Sequence, residues 1–327
     1  MRIGIMAALH QEIADLLALM GPQMQVTRIG QRDYYEGRIG EHECVMVLAR
    51  IGKVAASATC VTLIREFKVE QIVFTGLAGG LGDAVHVGDI VVANELMQHD
   101  FDASPIFPRY EIPLLGRARF AADENLSQQL MSAASDYLQQ ADGLAKDVSA
   151  EVMTQFGLNA ERDAALVAER DAELGAERNV ELGAERNAEL GAERDVELGA
   201  ERNAELGAER AAISAAINAA KNDVAQNKEA SQAHTVHIHQ GMILSGDQFI
   251  NTHDEADRLH VEHPKAMCTE MEGAAIAQIC YEYEVPFAVL RVISDKANDD
   301  ASVDFDSFLN HVARYMSSGI LMRWLGV

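Results

Sequence analysis

Three short runs place carboxylates at the ends of apolar segments: Leu9-His10-Gln11-Glu12, Thr269-Glu270-Met271-Glu272-Gly273 and Arg291-Val292-Ile293-Ser294-Asp295. Acids gathered at one end of an α/β sheet suit acid and base work on a neutral, polar small molecule. One can take a proton from water while another donates to a leaving group. Each acid also has a plain structural reading. Glu12 fits a helix start favoured by the helix dipole, Asp295 fits a turn or N-cap, and Glu270 or Glu272 fits a solvated helix start.

The elements that must position these acids are legible as strands and helices. Arg2–Ala8 is a short apolar run feeding Leu9–Leu17, whose apolar spacing is helical, so Glu12 falls in a first turn after a buried strand. Val285–Ile293 is nearly continuous in apolar, β-branched residues, as expected of a strand buried on both faces. Asp295 then sits at its carboxyl tip, with Ser294 near enough to hydrogen-bond it. Small residues after Glu272 allow a helix to pack closely on the sheet. Glu270 and Glu272 lie two apart and cannot share a helix face, so one points into a site while the other meets solvent or a structural partner. Val69–Leu81 reads as a strand running into a glycine-rich turn, Thr75-Gly76-Leu77-Ala78-Gly79-Gly80, where backbone N–H groups can approach a ligand. The turn lacks G-x-G-x-x-G and G-x-x-x-x-G-K-[ST], so neither a dinucleotide nor a nucleoside triphosphate is indicated. In open α/β sheets ligands bind at the carboxyl ends of the strands, where these acids fall.

Taken in order, these runs resemble the nucleoside phosphorylase and nucleosidase superfamily, and within it the 5'-methylthioadenosine/S-adenosylhomocysteine nucleosidases. The resemblance is carried by Ile3-Gly4-Ile5 with Glu12, Arg50–Ala56, Thr75–Gly80, Val87–Val92, Leu244–Asn251, Glu270-Met271-Glu272 and Arg291–Asp295. It spans residues 1 to about 140 and about 234 to 327. It implies an α/β three-layer sandwich with a central mixed β-sheet flanked by helices, nucleoside phosphorylase-like, interrupted by a helical or disordered insertion. It also implies hydrolysis of the N-glycosidic bond of methylthioadenosine and S-adenosylhomocysteine, with no cofactor and no metal.

By that resemblance Asp295 is the general acid at adenine N7, and Glu12 orients and deprotonates the attacking water. Glu272 grips the ribose hydroxyls and Met271 lines the sugar. Phe249 stacks on the purine, and the Ile250 backbone reads its edge. Leu9, Ile51 and Phe305 line the 5' substituent. Arg291, Ser294 and Leu77 complete the substrate-binding set, although many nucleosidases have serine where this chain has Leu77. The chemistry asks for such groups, because cleavage leaves positive charge on the ribosyl ring and negative charge on the base. A phosphorolytic relative is the nearest alternative. Its phosphate site wants arginine or backbone nests, whereas this chain lacks the Gly-Asp-Pro-x-Arg pattern and carries Phe74 and Leu77 where those enzymes carry arginine and serine. A noncatalytic purine-binding module, with the insertion carrying function, is the alternative outside enzymes.

The net charge of −24 argues against a nucleic-acid partner. Cys44, Cys60, Cys268 and Cys280 lie in apolar runs without C-x-x-C spacing and read as reduced residues of a cytoplasmic protein. No stretch approaches membrane-spanning length. Residues 141–233 differ in kind, with the octad Ala-Glu-Arg-Asn/Asp-Ala/Val-Glu-Leu-Gly running five times from Ala168 to Gly207. An eight-residue step rotates each leucine by roughly 80°, so the leucines wind around a helix and form no seam. The segment is expected to be a mobile or marginal helical insertion that leaves a core of 1–140 and 234–327 intact. His99-Asp100-Phe101-Asp102 and His237-Ile238-His239 suggest metal only weakly, since spacing places no third ligand. Pro105, Pro108 and Pro113 mark a loop that, by the resemblance, reaches a neighbouring subunit's site in a homodimer.

Overall fold

The computed structural model describes residues 1–139, 144–156, 158–159, 234–296 and 308–327. All belong to one compact unit drawn from Met1–Ala160 and Ala230–Val327. The octad repeats and Phe305 lie outside the described residues, and with them the expectations placed on them.

Among the described residues ten strands share one mixed sheet. The strands are β1 (Arg2–Ala7), β2 (Gln25–Ile29), β3 (Arg32–Ile39), β4 (His42–Leu48), β5 (Gln71–Gly80), β6 (Ile90–Gln98), β7 (Arg119–Ala121), β10 (Ile238–Ser245), β11 (Ala266–Glu270) and β12 (Phe287–Asp295). Their order is β11-β10-β6-β12-β5-β1-β4-β3-β2, with β7 on β6. An antiparallel contact of β11 with β5, Cys268 opposite Gly80 and Thr269 opposite Gly79, closes five of them into a ring. The remaining pair, β8 (Leu158–Asn159) and β9 (His234–Thr235), is parallel and separate.

Helices cover both faces because successive side chains on a strand point to opposite sides. Ile3 and Ile5 of β1 and Leu290 and Val292 of β12 join one core. It includes Leu126 and Leu130 of α3 (Glu124–Gln139) and Met316 and Ile320 of a C-terminal helix, Arg314–Leu325. Met6 of β1 and Val289 and Ile293 of β12 join the other, with Cys60 and Leu63 of α2 (Lys53–Arg65) and Ile276 and Cys280 of the helix Gly273–Glu282. This is the expected three-layer sandwich. The four cysteines are buried and free, and no helix among the described residues is long and apolar enough to cross a membrane.

Two expectations change. The glycine-rich segment after Val73 is strand through Gly80, not an open turn, because β12 on one side and β11 on the other give it ladder partners. The segment after residue 141 is not wholly outside the core either. Short helices α4 (Leu144–Asp147) and α5 (Ala150–Gln155) precede β8. Leu144, Val148, Met153 and Leu158 are all buried in the α3 core, and Phe156 meets Phe308 edge to face. Four widely spaced apolar residues in an alanine-rich stretch gave too weak a pattern to separate it from the repeats.

Candidate active site

Glu12 owes its place to the end of β1. The chain leaves the strand at Ala7 and makes a single 3₁₀ turn, His10–Glu12, before the helix Ala14–Leu19. The turn folds the carboxylate back onto orphan donors of its own entry: Glu12 Oε2 accepts the N–H of Ala8 at 3.0 Å and of Leu9 at 2.9 Å. Oε1 is buried and has no hydrogen-bond partner among the described residues. Burial pushes the Glu12 pKa up to about 7, against the pull of the Leu9 N–H, the Arg291 charge, the Ala8 N–H and the Leu77 N–H.

Arg291 approaches from β12, where it pairs in register with Gly76 of β5. The missing side chain at Gly76 is what lets the guanidinium cross. A Cβ there would stand 2.5 Å from Arg291 Nη1 and 3.2 Å from Glu12 Oε1. The guanidinium lies over the Phe74 ring at 3.9 Å, and its Nη2 pairs with Glu270 Oε2. Arg291 is 1% exposed.

Glu270 and Glu272 take different partners, although neither lies within the helix Gly273–Glu282 on which their spacing was read. Glu270, at the end of β11, takes a structural partner rather than solvent. It accepts the Ser245 hydroxyl, the N–H groups of Glu272 and Gly273, and the Arg291 guanidinium. Ser245 in turn accepts the Ala274 N–H at 2.7 Å, so the start of the following helix is capped from two strands. Glu272 is buried, and its Oε1 accepts the Gly52 N–H at 2.8 Å. Burial first, and then the Glu270 charge, raise its pKa well above the usual carboxylate range. One guanidinium among three buried carboxylates, committed to Glu270, leaves Glu12 and Glu272 able to hold protons near neutral pH.

Asp295 ends β12 opposite Gly79, after a register shift that follows Ile293. It is 8% exposed, and its Oδ2 accepts the Ser294 hydroxyl at 2.6 Å. The loop after β10 carries Phe249, about half exposed, and Ile250, buried. It is tied to the Ile51 loop by the Lys53 N–H, which donates to Asp247 Oδ1 at 3.0 Å. Lys53 Nζ also pairs with Asp100, and Asp100 Oδ2 accepts the Asp247 N–H. Ile51 is half exposed, while Leu9, Leu77 and Met271 are half-buried.

Glu12, Glu272 and Arg291 are thus brought together, with Ile51 beside the Gly52 link. Sequence reasoning missed Gly52 as the donor to Glu272, Ser245 as the partner of Glu270, and the close crossing at Gly76. The signal for the second was present only in register, since Ser245 lies directly opposite Glu270 between β10 and β11.

The chain matches the phosphorylase superfamily over residues 2–156 and 187–319, and it belongs to that family. Among curated relatives, it is 28% identical over 309 residues to the 5'-methylthioadenosine/S-adenosylhomocysteine nucleosidase of Shewanella denitrificans, covering 94% of this chain and 92% of the relative. It is 26% identical over 322 residues to the Haemophilus influenzae (strain PittEE) enzyme of the same name, covering 98% and 97%. The fold is similar to that of the Neisseria meningitidis nucleosidase in complex with methylthio-immucillin-A, with TM-score 0.65, 24% identity, and 98% and 99% of the two chains covered. It is also similar to futalosine hydrolase of Helicobacter pylori strain 26695, with TM-score 0.62, 23% identity, and 98% and 96% covered.

Proposed function

We propose that this chain hydrolyses the N-glycosidic bond of 5'-methylthioadenosine and S-adenosylhomocysteine, releasing adenine and the thioribosyl product. The observation that carries the reading is Glu12: one oxygen fixed by two backbone N–H groups, the other buried and unpaired, with a pKa of about 7. That is what a general base for water needs. Curated relatives of matching length and the same name support the substrate.

In this reading a water sits against Glu12 Oε1. As the C1'–N9 bond breaks, Asp295 delivers a proton to adenine N7, and the electron pair of the bond stays with the base. Glu12 takes the proton of the water that attacks C1', and Glu272 holds the ribose hydroxyls beside the developing positive charge. Ser294 orients Asp295 through its 2.6 Å hydrogen bond. Phe249 stacks on the purine, the Ile250 backbone reads its edge, Met271 lines the sugar, and Leu9, Ile51, Leu77 and Phe305 receive the 5' group. Arg291 acts by positioning, holding Glu270 and lending its charge to Glu12 and Glu272.

Phosphorolysis is disfavoured because a phosphate placed against Glu12 meets a carboxylate, and the neighbouring Arg291 is 1% exposed with its Nη2 held by Glu270. The same reading includes a cytoplasmic homodimer whose Pro105–Pro113 loop reaches the partner's site, and a core of which residues 160–233 are an insertion. The test is release of the free purine base, adenine from methylthioadenosine and S-adenosylhomocysteine and hypoxanthine from futalosine, each with and without phosphate. Release from the first two at equal rates in both buffers is expected. Strict phosphate dependence, or turnover of futalosine alone, contradicts the proposal.

A further inference from the structure

Asp89 takes no part in the proposed reaction, yet four histidines gather around it. Its side chain is fully buried immediately before β6. Oδ1 accepts the His237 N–H at 2.8 Å and lies 2.9 Å from His234 Nε2. Oδ2 accepts the His86 N–H at 3.0 Å and lies 2.8 Å from His239 Nε2. Two further ring nitrogens stand just outside hydrogen-bond reach, His86 Nδ1 at 3.9 Å from Oδ2 and His237 Nδ1 at 4.0 Å from Oδ1. The rings of His86 and His234 stack at 4.2 Å, and that of His237 lies 5.0 Å from His234. Burial opposes ionisation of Asp89, but hydrogen bonds from His239, the His237 N–H and His234 overcome it and hold the carboxyl down at about 2.

A buried carboxylate is satisfied by the two backbone N–H groups and the two closest imidazoles. The stacked His86 ring is surplus to that need. We propose that His86, Asp89 and His234 form a binding site for a divalent transition-metal ion of the zinc type, with His239 orienting the carboxylate. Their candidate ligand atoms all lie within 4.8 Å of one another. Ligands at roughly 2.0–2.2 Å in a tetrahedron sit roughly 3.3–3.6 Å apart, so the half-exposed His86 ring has only to turn inward by roughly an ångström. His234 presents Nε2 to the ion and keeps its proton on Nδ1. His239 holds the second carboxylate oxygen, as hydrogen-bonded carboxylate ligands require. His237, with a side chain 56% exposed, stands beside the fourth position. Mixed nitrogen and oxygen donors select a zinc-type ion over magnesium or calcium, which take oxygen ligands.

The site is tied to the proposed active site through the backbone. The Ile293 N–H donates to the Asp89 carbonyl and the Gly88 N–H to the Ile293 carbonyl, each at 2.8 Å, two residues before Asp295. An ion held at Asp89 therefore braces the carboxyl end of β12. The weak metal reading of His237-Ile238-His239 is not the one proposed: the candidate ligands are His86, Asp89 and His234, which the fold brings together from two segments remote in sequence.

The test uses the untagged full-length chain, stripped with a chelator and titrated calorimetrically with zinc chloride, with magnesium chloride as control. One equivalent of zinc at micromolar affinity or tighter is expected, with a raised Tm, no magnesium heat, and a tetrahedral visible spectrum when cobalt replaces zinc. His86→Ala should weaken zinc binding at least about tenfold. It should leave the circular dichroism and Tm of the ion-free chain unchanged, since Asp89 uses only the backbone of residue 86. His234→Gln, which keeps a donor for Asp89, should weaken binding likewise. Absence of saturable zinc binding, or one-equivalent binding unaltered in both variants, overturns the proposal.

Discussion

Glu12 Oε1 and Arg291 Nη1, both buried and without a hydrogen-bond partner among the described residues, flank one point in space, the position a side chain at Gly76 would occupy. The absent side chain at Gly76 thus leaves open the space between the proposed base and the cation that tunes it. Gly76→Ala places a methyl 2.5 Å from Nη1 and 3.2 Å from Oε1, the ends of two buried side chains that are held by Glu270 and by the Ala8 and Leu9 N–H groups. Overpacking of this kind costs about 1–3 kcal/mol. A lowered Tm with adenine release reduced by at least about tenfold is expected, since small misplacements at a reacting centre cost rate steeply. Wild-type activity in a folded Gly76→Ala protein would show that this spacing does not matter.

Glu12→Gln should leave binding of an adenine nucleoside analogue intact and lower turnover by about 10² to 10⁴. Isothermal titration beside a rate assay separates the two effects, and equal losses in both would remove the base role.

The same residue predicts a pH dependence of stability. Its folded pKa of about 7 lies above the ordinary glutamate value of 4.5, so between these pH values the folded chain binds more protons than the unfolded chain. Stability then falls as pH rises through that window, by about 3 kcal/mol for this group. Below pH 4.5 the term is absent, and above 7 it is complete. The stability of wild type relative to Glu12→Gln should therefore decline from pH 4 to pH 8 by about that amount. A constant difference in denaturant titrations would mean that Glu12 is not desolvated as described.

How much of this was legible depends on the range of the determinant. Asp295 and Ser294 could be placed from Phe287–Asp295 alone, because a strand buried on both faces announces itself as an apolar run with a polar end. The different surroundings of Glu270 and Glu272 were not legible from helix spacing, because one ends a strand and the other precedes the helix. Those surroundings are decided by Arg291 crossing at Gly76 and by Ser245 opposite Glu270, pairings set by strand order between segments far apart in sequence. Gly79 and Gly80 looked like a turn because nothing local reveals that β11 folds back to pair with them. The core role of Leu144, Val148 and Met153 was hidden because they adjoin a repeat of similar composition.

The burial of Leu144, Val148, Met153 and Leu158 makes paired deletions the test of the domain boundary. Leu158 lies opposite His234 and Asn159 opposite Thr235, so the two ends of the 160–233 segment are neighbours and a short link can join them. Replacing 160–233 with a Gly/Ser linker should preserve folding and adenine release. Replacing 141–233 removes four buried apolar side chains, each worth about 2–5 kcal/mol when truncated in a core, and should unfold the chain. Both deletions behaving alike in thermal melts would put the boundary elsewhere.

The central claim is that water, activated at Glu12, attacks the ribosyl carbon while Asp295 protonates the base. The direct measurement is the fate of heavy oxygen in the product of methylthioadenosine cleavage, in heavy-oxygen water and ordinary phosphate. One heavy oxygen at C1 of the free methylthioribose, formed at the same rate without phosphate and slowed by orders of magnitude in Asp295→Asn, is the predicted result. A sugar 1-phosphate without solvent oxygen, or undiminished turnover in Asp295→Asn, would contradict the account.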